Sequence, residues 1–167
     1  MSALKSFFID PRHKEKRDFL KKLPIFQGLG NTDITHLLGV LQEKKYLKDE
    51  ILFAENDIGR ALFIVVSGKI NLSMTQTDGT PKFLAEVKPG EIFGEMALLE
   101  EMPRTTAATA AEKTEVHMLY KNKLDSLIYN YPKIGIVIMH YLARTLSARL
   151  RYMIELQNKI SPAIDRR

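Results

Sequence analysis

One stretch of this 167-residue chain gathers the groups needed to hold an anion beside a diol. It runs Lys88-Pro89-Gly90-Glu91-Ile92-Phe93-Gly94-Glu95-Met96-Ala97-Leu98-Leu99-Glu100-Glu101-Met102-Pro103-Arg104-Thr105-Thr106-Ala107. Gly94 lets the backbone come close to a bound group. A short helical turn, expected over Glu95 to Leu99, presents free N–H groups and a partial positive charge at its start. Arg104 adds a full positive charge, and Thr105 and Thr106 add hydroxyl donors. The Glu95 carboxylate can accept hydrogen bonds from sugar hydroxyls. An anion joined to a diol describes a nucleotide. The same two charges have a plainer use, in which Glu95 and Arg104 pair with each other and hold a loop.

The rest of the chain must position that stretch. Lys14 to Leu23 reads as a charged helix with Phe19, Leu20 and Leu23 on one side. Pro24 and Gly28-Leu29-Gly30 break it. Asn31 or Thr32 can cap a second helix, Asp33 to Gln42, with Ile34, Leu37, Leu38 and Leu41 at helical spacing. From about Lys44 to Tyr120 the texture is that of short strands between turn signals. Tyr46-Leu47, Ile51 to Phe53, Ala61 to Val66, Lys69 to Gln76, Phe83 to Val87, Thr105 to Thr109 and Thr114 to Tyr120 are the expected strands. Ile70, Leu72 and Met74 alternate with polar neighbours, and Asp78-Gly79 signals a hairpin. Such a series predicts an antiparallel sandwich, jelly roll or small barrel. Lys123 to Tyr129 and residues 133 to about 158 read as helices. On the longer one, Ile136, Met139, Ala143, Leu146, Leu150, Met153, Gln157 and Ile160 make a seam of three- and four-residue steps. That seam suits either the chain's own barrel or a second copy.

Composition removes other classes of function. There are no cysteines, which excludes disulfides, thiolate metal sites and cysteine nucleophiles. His13, His36, His117 and His140 lack metal-ligand spacing, so no metal is expected. The acid pairs Glu91/Glu95 and Glu100/Glu101 have no nucleophile near them, and Ser67-Gly68 lacks the strained elbow of hydrolases. No enzyme is expected. No stretch approaches the roughly 18 apolar residues of a membrane span, and the start lacks a signal peptide's pattern. The expected location is cytoplasmic. Net charge is +5, concentrated in residues 1–22 and 144–167. Those basic ends read as solvated faces of terminal helices.

The cassette resembles that of a known family. Phe93-Gly94-Glu95-Met96-Ala97-Leu98, followed by Pro103-Arg104-Thr105, is similar to the phosphate-binding cassette of cyclic-nucleotide-binding domains. These occur in catabolite-activator regulators, regulatory subunits of cyclic-AMP-dependent kinase and nucleotide-gated channels. Thr106 stands where that family usually has Ala, and the step from Glu95 to Arg104 matches its kinase-type spacing. Leu23 to Leu29, Ile51 to Gly59 and Leu62 to Gly68 also resemble the family's opening segment, first strands and turns. The similarity covers about Leu20 to Ile154.

The resemblance implies that Glu95 takes the ribose 2′-hydroxyl and Arg104 the cyclic phosphate. Backbone N–H groups near Met96 and Ala97 add to the phosphate site. The Thr105 hydroxyl reaches phosphate or a guanine amino group. The base lies against Leu72, Met74, Ala85 and Val87, with Phe93 and Met96 nearby. The catabolite activator reads adenine with a Thr-Ser pair on the long helix, where this chain has Met153 and Ile154. Arg149, Arg151 or Tyr152 would then cap the base by stacking.

The expected fold class is α+β, an antiparallel β-roll of jelly-roll type (a double-stranded β-helix) flanked by N-terminal helices and a long C-terminal helix. The expected divisions are a helical extension at 1–22, a nucleotide-binding roll at 23–132 with its cassette at 91–106, and a helix at 133–160 serving as lid, dimer contact or both. The expected function is a non-catalytic cyclic-nucleotide sensor, for cAMP in preference to cGMP. It would form a homodimer through residues 133–158 and signal to a protein effector by movement of that helix. About ten residues follow Gln157, too few for a DNA-reading helix, so sequence-specific nucleic-acid binding is not expected of them. The alternatives are a nucleotide-free interaction module of the same fold and a fragment of a larger transcription regulator.

Overall fold

Ala61 to Val65 is an unbroken run of buried apolar residues. A strand reads this way when both of its faces are covered, and that is its position here. In the computed structural model, which describes residues 11–160, this strand lies between a β-roll and a layer of helices. Strand β3 (Ala61–Ser67) sends Ala61, Phe63 and Val65 into the roll. Leu62 and Ile64 point the other way, into the helical layer. This is the period-two alternation of a strand, applied to two cores at once.

The helical layer holds α1 (Pro11–Lys22), a single turn at Pro24–Phe26, α2 (Asn31–Leu38), α3 (Lys121–Asn130) and α4 (Pro132–Ile160). The roll holds β1 (Gln42–Tyr46), β2 (Ile51–Phe53), β3, β4 (Ile70–Thr75), β5 (Pro81–Val87), β6 (Ile92–Phe93), β7 (Ala107–Ala110) and β8 (Thr114–Tyr120). Two four-stranded antiparallel sheets face each other, in the orders β1-β8-β3-β6 and β2-β7-β4-β5. Phe53, Phe63, Phe93, Ile70, Val87, Ala108, Ala110 and Val116 fill the space between them. The fold is thus the expected antiparallel roll with helices at the N-terminal side and a long C-terminal helix.

Some boundaries differ from expectation for local reasons. Helix α2 is capped at Gly30, whose N–H donates to the Asp33 carboxylate at 2.9 Å, so Asn31 and Thr32 lie inside the first turn. It stops at Leu38, not Gln42. The Gly39 N–H closes on the Thr35 carbonyl, and Gln42 already pairs with Met118 in β1. Leu47 leaves the strand because its N–H donates to the Glu50 carboxylate at 2.6 Å across a turn.

Helix α4 carries two apolar stripes. Ile134, Ile138 and Leu142 are fully buried against the helical core. Ile136, Met139, Leu150 and Met153 of the a/d seam are exposed, Met153 at 65%. The seam therefore does not pack on the chain's own roll, and residues 147–159 of the helix are exposed throughout. Among the described residues, no helix is long and apolar enough to cross a membrane.

Candidate functional site

The cassette begins where β6 ends. Gly94 adopts φ +71°, a left-handed conformation that glycine accepts without steric cost. A Cβ at this position would also stand 2.7 Å from an Arg104 terminal nitrogen. The chain then makes the short helical turn Glu95–Leu98, close to the Glu95–Leu99 expected. Its geometry is 3₁₀, and the Ala97 N–H is directed at the Gly94 carbonyl over a long 3.3 Å. In this structure that donor is engaged within the turn.

Arg104 is fixed by backbone and by aromatic rings. One terminal nitrogen donates to the Ala61 carbonyl at 2.7 Å, the other to the Gly94 carbonyl at 3.2 Å. The guanidinium carbon lies 4.2 Å from the Phe53 ring centroid and 5.6 Å from that of Phe63. Cation–π contacts of this kind orient the plane of the group. Phe53, Phe63 and Phe93 form one aromatic cluster beneath it. Burial pushes the arginine below its ordinary pKa, and the charges of Asp57 and Glu95 partly oppose this. The main chain of Arg104 is braced as well. Its N–H donates to the Asp57 carbonyl at 2.7 Å, and its carbonyl accepts from the Asn56 N–H at 2.9 Å.

Glu95 is a buried carboxylate, 5% exposed. It does not pair with Arg104. Its partner is Arg149 of α4, which forms an ion pair with Glu95 Oε1. The plainer use of the two cassette charges, as a mutual loop-holding pair, is therefore not what the fold builds. Arg149 in turn reaches the site through its charge, rather than as a group lying clear for stacking.

These side chains surround a cavity of about 160 Å³. Of the residues expected to bind, Leu72, Phe93, Gly94, Glu95, Met96, Ala97, Arg104, Thr105, Thr106 and Arg149 line it. Ala85 and Val87 line an adjoining open depression, which shares Leu72, Phe93 and Arg149 with the cavity. Met74 and Tyr152 line neither. Met74 lies on the outer part of the β4–β5 ribbon, and Tyr152 is 62% exposed on the free part of α4. Arg151, the third proposed cap, donates to Ser147 on its own helix.

Phe53, Gly59, Glu100, Met102 and Pro103 also line the cavity and were not among the expected binding residues. Gly59 follows the turn signal Asn56-Asp57-Ile58, but nothing local says that this turn faces the cassette. A Cβ there would meet Ala97 Cβ at 2.9 Å and Arg104 Nε at 3.2 Å. Among the described residues, no group of three or more His, Cys, Asp or Glu side chains is placed to hold a metal ion.

An eight-stranded roll thus brings a glycine-bounded cassette, a buried Glu95 and a part-buried Arg104 to one cavity. The cyclic nucleotide-binding domain family model matches residues 43–131. The cyclic AMP receptor protein of Thermus thermophilus is 37% identical over 132 residues, covering 79% of this chain and 59% of that protein. A crystal structure of the Thermus thermophilus catabolite activator protein superposes with a TM-score of 0.75 at 36% identity, over 83% of this chain and 63% of that one. The regulatory domain of Toxoplasma gondii PKA, crystallised with cAMP, gives a TM-score of 0.64 at 29% identity, over 70% and 44%. The chain belongs to the cyclic nucleotide-binding domain family. It spans about three fifths of the length of the receptor it matches.

Proposed function

We propose that this chain is a cyclic-nucleotide receptor without catalytic activity, selective for cAMP over cGMP. The observation that carries the reading is the state of Arg104. The guanidinium is anchored by two carbonyls and an aromatic face, and no carboxylate bonds to it among the described residues. Of its five N–H donors, three remain for a ligand anion at the cavity. Beside it the buried Glu95 carboxylate offers acceptors suited to a ribose 2′-hydroxyl. Thr105 and Thr106 offer hydroxyls to the same anion. The base would extend toward Leu72, Ala85 and Val87 in the adjoining depression. The preference for cAMP draws on the named ligands of the bacterial receptor and of the kinase regulatory domain.

The chain would act in the cytoplasm as a homodimer, with the exposed seam of α4 facing its copy. A ligand hydroxyl that competes for Glu95 loosens the hold of Arg149 on the cassette and so repositions α4. A protein effector would read that movement. The Glu95–Arg149 pair also favours a second reading, in which the site is closed by its own side chains and the fold works as a ligand-free interaction module. A thermal-shift screen against cAMP, cGMP and cyclic dinucleotides separates the two. Ligand stabilises the receptor by about 2.7 kcal/mol at a hundredfold excess over Kd, and its melting temperature keeps rising as ligand is added. The ligand-free module shows no shift with any of them.

A further inference from the structure

His117 is a buried imidazole to which the fold gives no hydrogen bond. It is 1% exposed, and neither Nδ1 nor Nε2 has a partner. Strand alternation explains the placement. Val116 and Met118 of β8 point into the roll, so His117 and Leu119 point into the helical layer. Phe19 of α1 lies edge-on to the imidazole, with ring centroids 6.3 Å apart. Glu43 is the cross-strand partner of His117 on β1, and Lys16 of α1 ion-pairs with Glu43. Helix α1 thus closes over the imidazole with one apolar ring and one charged clasp.

A neutral imidazole tolerates this position, and an imidazolium does not. The charged ring carries two donors and needs acceptors or water for both. Buried and unpaired, it would bear the desolvation cost of a full charge. The groups facing it are Glu43 of β1, Glu115 of its own strand and Lys16 of α1. Burial lowers the pKa of His117 and outweighs the opposing carboxylates, while Lys16 adds to the lowering.

We propose that His117 is a proton switch for the docking of α1, with protonation favouring a state in which α1 has lifted from β8 and the ring meets water. The docked state holds the neutral ring, and the lifted state binds a proton near the ordinary imidazole pKa of about 6.5. Docking is therefore strongest above that range and weakens progressively, by up to about tenfold per pH unit, as pH falls below it. Helix α1 leads through Leu23 into the Pro24–Phe26 turn, which packs against α4. Acid would act on the same helical layer that carries Arg149.

The test is hydrogen exchange in the full chain at pH 7.5 and 5.5, with protection factors corrected for intrinsic rates. Peptides covering residues 11–22 are expected to lose protection about fivefold to tenfold relative to β3. His117→Leu should abolish the difference, and His36→Gln should keep it. Equal protection at both pH values, or an undiminished acid effect in His117→Leu, overturns the proposal. Should His117→Leu not fold, an NMR titration of the wild-type imidazoles decides. A His117 midpoint below those of the other three histidines supports the switch, and one at or above them overturns it.

Discussion

Arg149 and Glu95 stand 54 positions apart in sequence and form an ion pair at the cavity between cassette and long helix. The two ends of the pair differ in surroundings. The Glu95 side chain is 7% exposed and that of Arg149 is 56% exposed. Arg149→Met is therefore expected to leave a buried carboxylate unpaired. Full burial of such a pair would make the loss about 3–5 kcal/mol, and solvent at Arg149 reduces it to about 1–2 kcal/mol. Urea unfolding of the two proteins measures the difference. Peptides from 147–159 should also exchange faster in the variant, since that stretch is exposed throughout.

Gly59→Ala tests the packing beneath the cassette. Its added Cβ would meet Ala97 at 2.9 Å and the Arg104 guanidinium at 3.2 Å, so the cassette must shift. Overpacking of this kind costs about 1–3 kcal/mol. Gly79→Ala is the control. It has φ +82° but no atom within 4 Å of the new Cβ, and it lies in the β4–β5 turn away from the cavity. Nucleotide affinity should fall in Gly59→Ala and stay unchanged in Gly79→Ala, as measured by calorimetry.

Asp33 ties α2 to the start of α4. It accepts from Lys133 Nζ at 2.5 Å and from the Gly30 N–H at 2.9 Å. The Lys133 bond, then the Gly30 bond, hold its pKa below the ordinary carboxylate value. A lowered folded pKa means that the contribution is present at neutral pH and lost as pH falls through the folded value. Lys133→Met is expected to remove about 0.5–1 kcal/mol at pH 7, the range for an exposed pair. Its stability curve should converge on wild type once pH has fallen below the lowered pKa of Asp33. Thermal unfolding across pH checks this.

Much of this architecture is legible along the chain because its signals are local. The alternation of Ile70, Leu72 and Met74 in β4, the hairpin at Asp78-Gly79 and the cassette from Phe93 to Arg104 are each written in one short stretch of sequence. What escapes the sequence is set by distant pairing. Gly59 and Phe53 reach the cavity only because β2 pairs with β7 and the 56–59 turn laces to the segment before Arg104. Arg149 carries no local mark of its partner. Met74 shares a strand face with Leu72, but the outer part of the β4–β5 ribbon leaves the cavity behind. The burial of His117 follows from β8 lying against α1, a fact of sheet order rather than of periodicity.

The exposed seam of α4 carries the proposal of a homodimer. A helical stretch as short as residues 147–159 is marginal in water without packing. Leu150 and Met153 are 60% and 65% exposed there. Light scattering should give twice the chain mass for wild type and the chain mass for the double variant Leu150→Glu, Met153→Glu. A monomeric wild type at micromolar concentration would refute the dimer while leaving the nucleotide site untouched.

The central claim is that Arg104 and Glu95 hold a cyclic nucleotide. Calorimetric titration of cAMP into wild type and Arg104→Ala tests it most directly. The expected result is saturable binding to wild type, weakened in the variant by about 2–5 kcal/mol, or roughly thirtyfold and beyond. A wild type that takes up neither cAMP nor cGMP, or a variant with an unchanged Kd, would contradict it.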